Sequence, residues 1–189
     1  MITQNTQETL NTYKELTRER WDNTEISILV FGPNTNHTTL GAKLRSYILK
    51  KCDKYCVTVR CEHSGFIDSH RTMLGQNKNL VFAELDAARF VDAIIIIPDS
   101  PGSFVELGML SPCKKIHEKV LILFKHKYAN DNNSFVHEGP KLAFAENHAT
   151  IKYVNYRNKR STWEEIKLFL HEKKADRYEN NILSDLVNP

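Results

Sequence analysis

The stretch Ile94-Ile95-Ile96-Ile97-Pro98-Asp99-Ser100-Pro101-Gly102-Ser103-Phe104-Val105-Glu106-Leu107-Gly108 (IIIIPDSPGSFVELG, residues 94–108) decides how the rest of the chain is read. Four consecutive isoleucines make the apolar, β-branched run of a strand buried on both faces, as parallel sheets require. The turn residues from Pro98 to Ser103 end that strand. The apolar spacing then resumes as a helix expected from Glu106 to Cys113. Strand, turn and helix in this order form one unit of an α/β fold.

The same alternation recurs on either side. Ile26 to Phe31 (ISILVF) is a second doubly buried strand, stopped by Gly32-Pro33-Asn34. Thr39 to Lys51 follows as an amphipathic helix with Leu40, Leu44, Tyr47 and Ile48 on one face. Tyr55 to Cys61 reads as a strand, residues 62–79 as a long polar loop, Leu80 to Phe90 as a helix and Asp92 to Ile97 as the strand of the opening motif. Lys119 to Phe124 (KVLILF) is another buried strand, residues 125–140 a second polar loop, and Ala149 to Tyr153 the last strand. Trp163 to Lys173 is an amphipathic helix capped by Ser161 or Thr162. An N-terminal helix over residues 6–21 carries Leu10, Tyr13, Leu16, Thr17 and Trp21 at helical spacing. The expected fold class is α/β: a mainly parallel, doubly wound (Rossmann/flavodoxin-like) sheet with helices on both faces, in a single domain. Residues 1–25 read as an N-terminal helical extension, 26–175 as the α/β domain and 176–189 as a C-terminal tail.

Composition narrows the function classes. Of 189 residues, 41% are hydrophobic and 26% charged, the balance of a soluble globular chain. The net charge is only +3, with basic residues interleaved among acidic ones, so direct nucleic-acid binding is not expected. The nearest basic patch, Lys152, Arg157, Lys159 and Arg160, reads as solvated surface. No apolar run reaches the roughly 18 residues of a membrane span, and the first twenty residues have no signal-peptide core, which points to the cytoplasm. Cys52, Cys56 and Cys61 with His63 lack CxxC spacing, so they read as structural thiols rather than metal ligands, and no cofactor is expected.

In doubly wound sheets ligands bind where loops leave the carboxyl ends of the strands. That rim gathers Gly32-Pro33-Asn34, the 62–79 loop and Asp99 to Glu106. Gly102 lets backbone approach a ligand, Ser103 caps the next helix while offering a polar group to a sugar or phosphate, and Glu106 is expected in the first helical turn. Ser103 and Glu106 also have the spacing of a capping box, which is the purely structural alternative. Together with Glu84, Asp86, Asp92 and Asp99, a fixed Glu106 suits attack on an anomeric carbon while a second acid protonates the leaving group.

These residues resemble the nucleoside 2-deoxyribosyltransferase-like superfamily, including its nucleotide N-hydrolases and small effector toxins. The signature stands here as Asp99, Gly102, Ser103, Glu106, Leu107 and Gly108, and the likeness extends to Phe31, Gly32 and Pro33 and to Glu84, Asp86 and Asp92, over roughly residues 26–125. It implies that Glu106 is the nucleophile at C1′, and that Asp99 or Asp86 donates a proton to the base or holds the sugar hydroxyls. It further implies that Phe31, Gly32, Pro33, Glu84 and Ser100 lie beside the substrate, with Gly102 and Ser103 at the 5′ end of the sugar. Pro101 lengthens the turn by one residue relative to the transferases, and the ending Asp185-Leu-Val-Asn188-Pro189 differs from theirs. Asn133, Ser134 and Gly139-Pro140 are candidates for a contribution to a neighbouring subunit's site.

Three readings follow. In the first, the chain cleaves or exchanges the N-glycosidic bond of a nucleoside, nucleotide or NAD, as a salvage enzyme or as an effector in a bacterial defence operon such as those paired with retrons. The resemblance then implies a homo-oligomer, and an effector needs a regulatory protein partner to restrain it. In the second, the rim binds a nucleotide without turnover, as SLOG-type sensors do. In the third, the glutamate hydrolyses NAD in the manner of TIR-like enzymes. His63, Asp68, His70 and Arg71 read as either substrate ligands or solvated loop.

Overall fold

The computed structural model describes residues 4–60, 80–131 and 133–187. The chain begins with helix α1 (Gln4–Asn23), then runs β1 (Ser27–Phe31), α2 (Leu40–Cys52), β2 (Val57–Val59), α3 (Leu80–Phe90), β3 (Ala93–Ile96) and α4 (Pro101–Leu110). A 3₁₀ turn (Lys114–Lys119) leads to β4 (Val120–Lys125), and α5 (Leu142–Glu146), β5 (Thr150–Val154) and α6 (Lys159–Val187) complete it. All strand pairs are parallel, in the order β2-β1-β3-β4-β5. This is the doubly wound arrangement expected, in its flavodoxin-like order, whose ligand crevice opens between the carboxyl ends of β1 and β3.

The isoleucine run shows why the strands had to be central. Ile95 and Ile97 pack on one face of the sheet beneath α2 and α6, while Ile94 and Ile96 pack on the other beneath α3 and α4. All four are fully buried, and each such side chain removed from water contributes about 1.5–3 kcal/mol before ordering costs. Leu44 and Ile48 of α2 meet Ile166 and Phe169 of α6 on the first face, and Leu107 and Leu110 of α4 meet Ala87 and Ala88 of α3 on the second. Trp21 lays α1 against α6, its ring 5.1 Å from that of His171 and 5.6 Å from that of Tyr178.

Three local expectations are corrected. The helix after the motif starts at Pro101, not Glu106, because Ser100 is its N-cap and Pro101, with φ preset and no N–H to lose, takes its first position. Glu106 therefore lies in the second turn, and the capping box is Ser100 with Ser103, not Ser103 with Glu106. The last helix starts at Lys159, and its first turn is capped by Asn158, whose Oδ1 accepts from the Ser161 amide at 3.1 Å, rather than by Ser161 or Thr162. The 125–140 segment is not plain loop: it holds a 3₁₀ turn (His126–Tyr128) and a π-helical turn (His137–Lys141). The polar stretch 62–79, with His63, Asp68, His70 and Arg71, lies outside the described residues, as does Cys61.

Asp92 opens β3 at the amino end of the sheet, away from the rim. Its Oδ2 accepts from the Ser27 amide at 2.7 Å and the Ser27 hydroxyl at 2.8 Å, so this acid aligns the starts of two neighbouring strands. Among the described residues no helix is long and apolar enough to cross a membrane, and no three His, Cys, Asp or Glu side chains are grouped to hold a metal ion.

Cys52 sits in the core under α2, where burial, with Cys56 and Asp53 adding, pushes its thiol far above the ordinary range. Burial also pushes Cys56 up to about 11, against a small opposing effect of Lys174. The thiolate is the reactive form, so at pH 7.5 both should alkylate about 100-fold or more slowly than in the unfolded chain. Peptide mass mapping after iodoacetamide checks this: Cys52 and Cys56 are expected to stay unmodified in native protein, and rapid native labelling of Cys52 would contradict the packing.

Candidate active site

The rim is built from its backbone outward. After β1 the chain turns at Gly32, whose φ of +156° is rarely adopted by residues with a side chain; a Cβ there would also lie 3.1 Å from Ile97 Cβ and 3.2 Å from Arg45 Cδ. The buried Arg45 guanidinium supports this turn from α2, donating to the Val30 carbonyl at 2.8 and 3.2 Å and to the Pro33 carbonyl at 3.4 Å. Phe31 points into the core beside Leu107 rather than into the crevice, and Gly32 and Pro33 are buried with it. This segment reaches a ligand through its backbone only.

After β3 the chain reaches Asp99. Its Oδ2 accepts from the Gly41 amide at 2.9 Å, in the first turn of α2, and its Oδ1 forms an ion pair with Lys125 at the end of β4. Carboxylate at a helix N-terminus is favourable, since the first amides of a helix lack internal acceptors. The approach is so close that a Cβ on Gly41 would stand 2.6 Å from Asp99 Cβ. Lys125 Nζ also lies 5.4 Å from the centre of the Tyr156 ring, and the Tyr156 hydroxyl donates to the Leu123 carbonyl at 2.5 Å. Burial, with the charges of Asp99 and Tyr128 adding, pushes the Tyr156 phenol up, so it stays a donor. Both Asp99 oxygens are thus engaged by the protein, which makes Asp99 a clamp between β3, α2 and β4.

The next turn closes on itself. Ser103, only 1% exposed, accepts at Oγ from the Asp99 amide at 3.0 Å and the Ser100 amide at 2.9 Å, and donates to the Ser100 carbonyl at 2.9 Å. Ser100 Oγ accepts from the Ser103 amide at 3.3 Å, and the Phe104 amide donates to the Ser100 carbonyl at 3.1 Å. The two serine hydroxyls expected to face a sugar therefore spend themselves inside the turn. Pro101 has no N–H, so the Gly102 amide is the one first-turn donor with no partner among the described residues. Gly102 is exposed, and a Cβ added to it would meet nothing within 4 Å.

Glu106 follows one turn later and is half-buried, with Oε2 shielded from solvent. The buried stripe of α4 is Ser103, Leu107 and Leu110. At ~100° per residue, Phe104 falls on one flank of that stripe and Glu106 on the other, about 160° apart. Phe104 lies toward β4 and β5, in contact with the cavity formed by Phe124 and Tyr153, so Glu106 faces the α3 side. On α3 the buried arc is Ala83, Ala87 and Ala88. Glu84 falls within that arc, in the rim-side half of the helix, and Asp86 falls outside it, just past the helix middle; both are half-buried. Glu106 and Glu84 thus lie on the facing sides of α4 and α3, whereas Asp92 lies at the opposite end of the sheet.

Reading the sequence missed Gly41, Arg45 and Lys125. Gly41 carried a usable signal: a glycine in the first turn of an otherwise strong helix former needs a reason. Arg45 and Lys125 looked like ordinary surface charges.

Comparison with known proteins gives a consistent set of relatives. A family model described as "STM3845 retron effector protein" matches residues 41–188. The protein named "Retron Ec86 putative ribosyltransferase/DNA-binding protein" from Escherichia coli is 31% identical over 123 residues, 64% of this chain and 38% of the relative. "Retron Ec73 putative ribosyltransferase/DNA-binding protein", also from Escherichia coli, is 35% identical over 68 residues, 36% of this chain and 21% of the relative. The chain therefore spans well under half the length of these two relatives.

Because the Gly41–Asp99 approach leaves no room for a methyl group, Gly41→Ala is expected to cost about 1–3 kcal/mol of stability. Gly108→Ala, where a Cβ meets nothing within 4 Å, should be neutral or stabilise by up to about 1 kcal/mol through helix propensity. Urea unfolding of the two variants beside the parent reads the difference; equal midpoints would remove the clamp from the account of the fold.

Proposed function

The chain belongs to the STM3845 retron effector protein family, and from that membership and the rim chemistry we propose that it is a defence effector that cleaves an N-glycosidic bond through Glu106. The observation that carries the reading is a half-buried carboxylate, Glu106, on the helix that starts at the β1/β3 crevice, with two more acids on the neighbouring helix and relatives named as ribosyltransferases.

In this mechanism the Glu106 carboxylate attacks C1′ of a ribosyl or deoxyribosyl group, the C1′–N bond breaks, and the base leaves with the bonding pair and takes a proton from an acid. Asp86 is the better proton donor, because Asp99 is held by the Gly41 amide and Lys125 and acts as a positioning residue. Glu84 then holds sugar hydroxyls. Water attacking C1′ releases Glu106 in a hydrolase, and a second base does so in a transferase. The nucleoside deoxyribosyltransferase-like superfamily remains the model for this chemistry. Bare backbone at Gly102 gives the sugar phosphate its closest approach to the protein.

Retron effectors work with the other components of their retron, so a regulatory complex is part of the proposal, as is a homo-oligomer. The composition argument against nucleic acid loses its force here, since the relatives are named DNA-binding. Contact with the nucleic-acid part of a retron belongs with the proposed complex. The engagement of Asp99 and of both serine hydroxyls favours a second reading, in which the crevice binds a nucleotide without turnover.

Mass-detected chromatography of products from a panel of nucleosides, nucleotides and NAD separates the two. Free base is expected from the parent protein, and Glu106→Gln should lower its release by more than about 10³-fold. Gly102→Ala should keep or raise thermal stability yet raise KM about tenfold, since the added Cβ meets only ligand. Release of base by Glu106→Gln at the parent rate would remove the glutamate mechanism.

A further inference from the structure

Beyond the crevice, a cavity of about 230 Å³ opens at the carboxyl ends of β4 and β5, and none of the residues of the proposed glycosidic site lines it. Its walls are aromatic: Phe104 from α4, Phe124 from β4, Tyr153 from β5, and Tyr128 from the turn after β4. Phe124 and Tyr153 are register partners on adjacent strands, and their rings stack with centroids 5.9 Å apart and planes at 25°. Polar groups stand at its edge, among them Asp131, Ser134 and Lys141, whose Nζ lies 5.6 Å from the Tyr153 ring centre and 2.9 Å from His137 Nδ1. The Tyr153 hydroxyl is buried and has no hydrogen-bond partner among the described residues.

The walls are apolar rings with the buried hydroxyl of Tyr153 among them, so a ligand here is held chiefly by stacking, with a polar atom close by. The cavity is smaller than the ~300–1,000 Å³ that whole drug-sized ligands occupy, which suits one planar ring system. Flat aromatic walls with donors and acceptors at the edge fit a ring that stacks and hydrogen-bonds in its own plane. The cavity is centred about two strand spacings, or ~10 Å, along the rim from the β1/β3 crevice. One base cannot occupy both places. The amino end of α4, with the exposed Gly102, lies between them.

We propose that the β4–β5 cavity holds the second base of a dinucleotide, with the sugar to be cleaved in the β1/β3 crevice on the other flank of α4. The assignment of the cleaved sugar rests on the reading of Glu106 given above, whereas binding of a base in the cavity does not. Phe104 and Glu106, on opposite flanks of one helix, would then each face one half of the ligand. Tyr153 and the aromatic walls set the preference for a dinucleotide over a mononucleotide.

The test is calorimetric titration of NAD, AMP and nicotinamide mononucleotide into the parent, Tyr153→Phe, Ser134→Trp and Glu106→Gln proteins, with base release followed in parallel. Tyr153→Phe removes only the hydroxyl and should fold as the parent does, and Ser134→Trp fills the cavity from its rim; thermal melts check both. NAD should bind the parent at least tenfold more tightly than nicotinamide mononucleotide, and that advantage, together with AMP binding, should fall about threefold in Tyr153→Phe and disappear in Ser134→Trp. Glu106→Gln should keep the parent's affinity for AMP, which would occupy only the cavity, while losing base release. Well-folded cavity variants with unchanged affinity for NAD and AMP overturn the proposal even if base release depends on Glu106. Cavity-dependent binding with no base release from the parent upholds the cavity and removes the glycosidase reading instead.

Discussion

The carboxylate of Asp99 is the constraint on which the rim depends. It stands at the end of β3, accepts from the first turn of α2 and pairs with Lys125 at the end of β4. Two neighbouring strands and one helix converge on one side chain that is mostly shielded from water. A pair so placed is costly to break from one side, because the remaining charge is left without compensation. Gly41 is the geometric consequence: nothing larger fits against Asp99. Arg45 extends the same scaffold one turn along α2, tying the chain after β1 to the helix through the carbonyls of Val30 and Pro33. The crevice between β1 and β3 is thus framed by fixed backbone rather than by adaptable side chains.

With its cap satisfied internally, α4 is free to act as a divider. The hydrogen bonds between Ser100 and Ser103 begin the helix at Pro101 and set its rotation. Leu107 and Leu110 then lock that rotation against the sheet. Everything else on α4 follows from ~100° per residue: Glu106 toward α3, Phe104 toward the aromatic cavity, Val105 toward solvent. A change in the cap would move the acid and the aromatic residue together.

The fold was largely legible. Uninterrupted apolar runs such as ISILVF and KVLILF, with turn residues after them, can only be central parallel strands in a chain of this kind, and each appears where its run lies. Helix boundaries were less so. The start at Pro101 was hidden because Ser100 and Ser103 are equally good caps by type, and only the observed backbone shows which one precedes a proline in the first position. The start at Lys159 was missed similarly, with Asn158 outcompeting two nearby hydroxyl residues. At the rim, the motif announced the turn and helix that the structure shows after β3. It could not tell that the hydroxyls of Ser100 and Ser103 would be consumed locally, since side-chain bonds to nearby backbone leave no mark on hydrophobic periodicity.

Taken by itself, then, the chain of residues determined the class of fold, the parallel sheet and the rim on which its acids cluster, because these follow from burial periodicity and turn chemistry, which are local in sequence. Tertiary structure alone decided which acids serve which purpose. Asp92 aligns strands at one end, Asp99 clamps three elements at the other, and Glu106 is turned toward α3. It also brought Phe124 and Tyr153 side by side with Phe104 to form a cavity. Such roles depend on pairings between residues 26 to 65 positions apart in sequence, and only the packed sheet brings them within hydrogen-bonding distance.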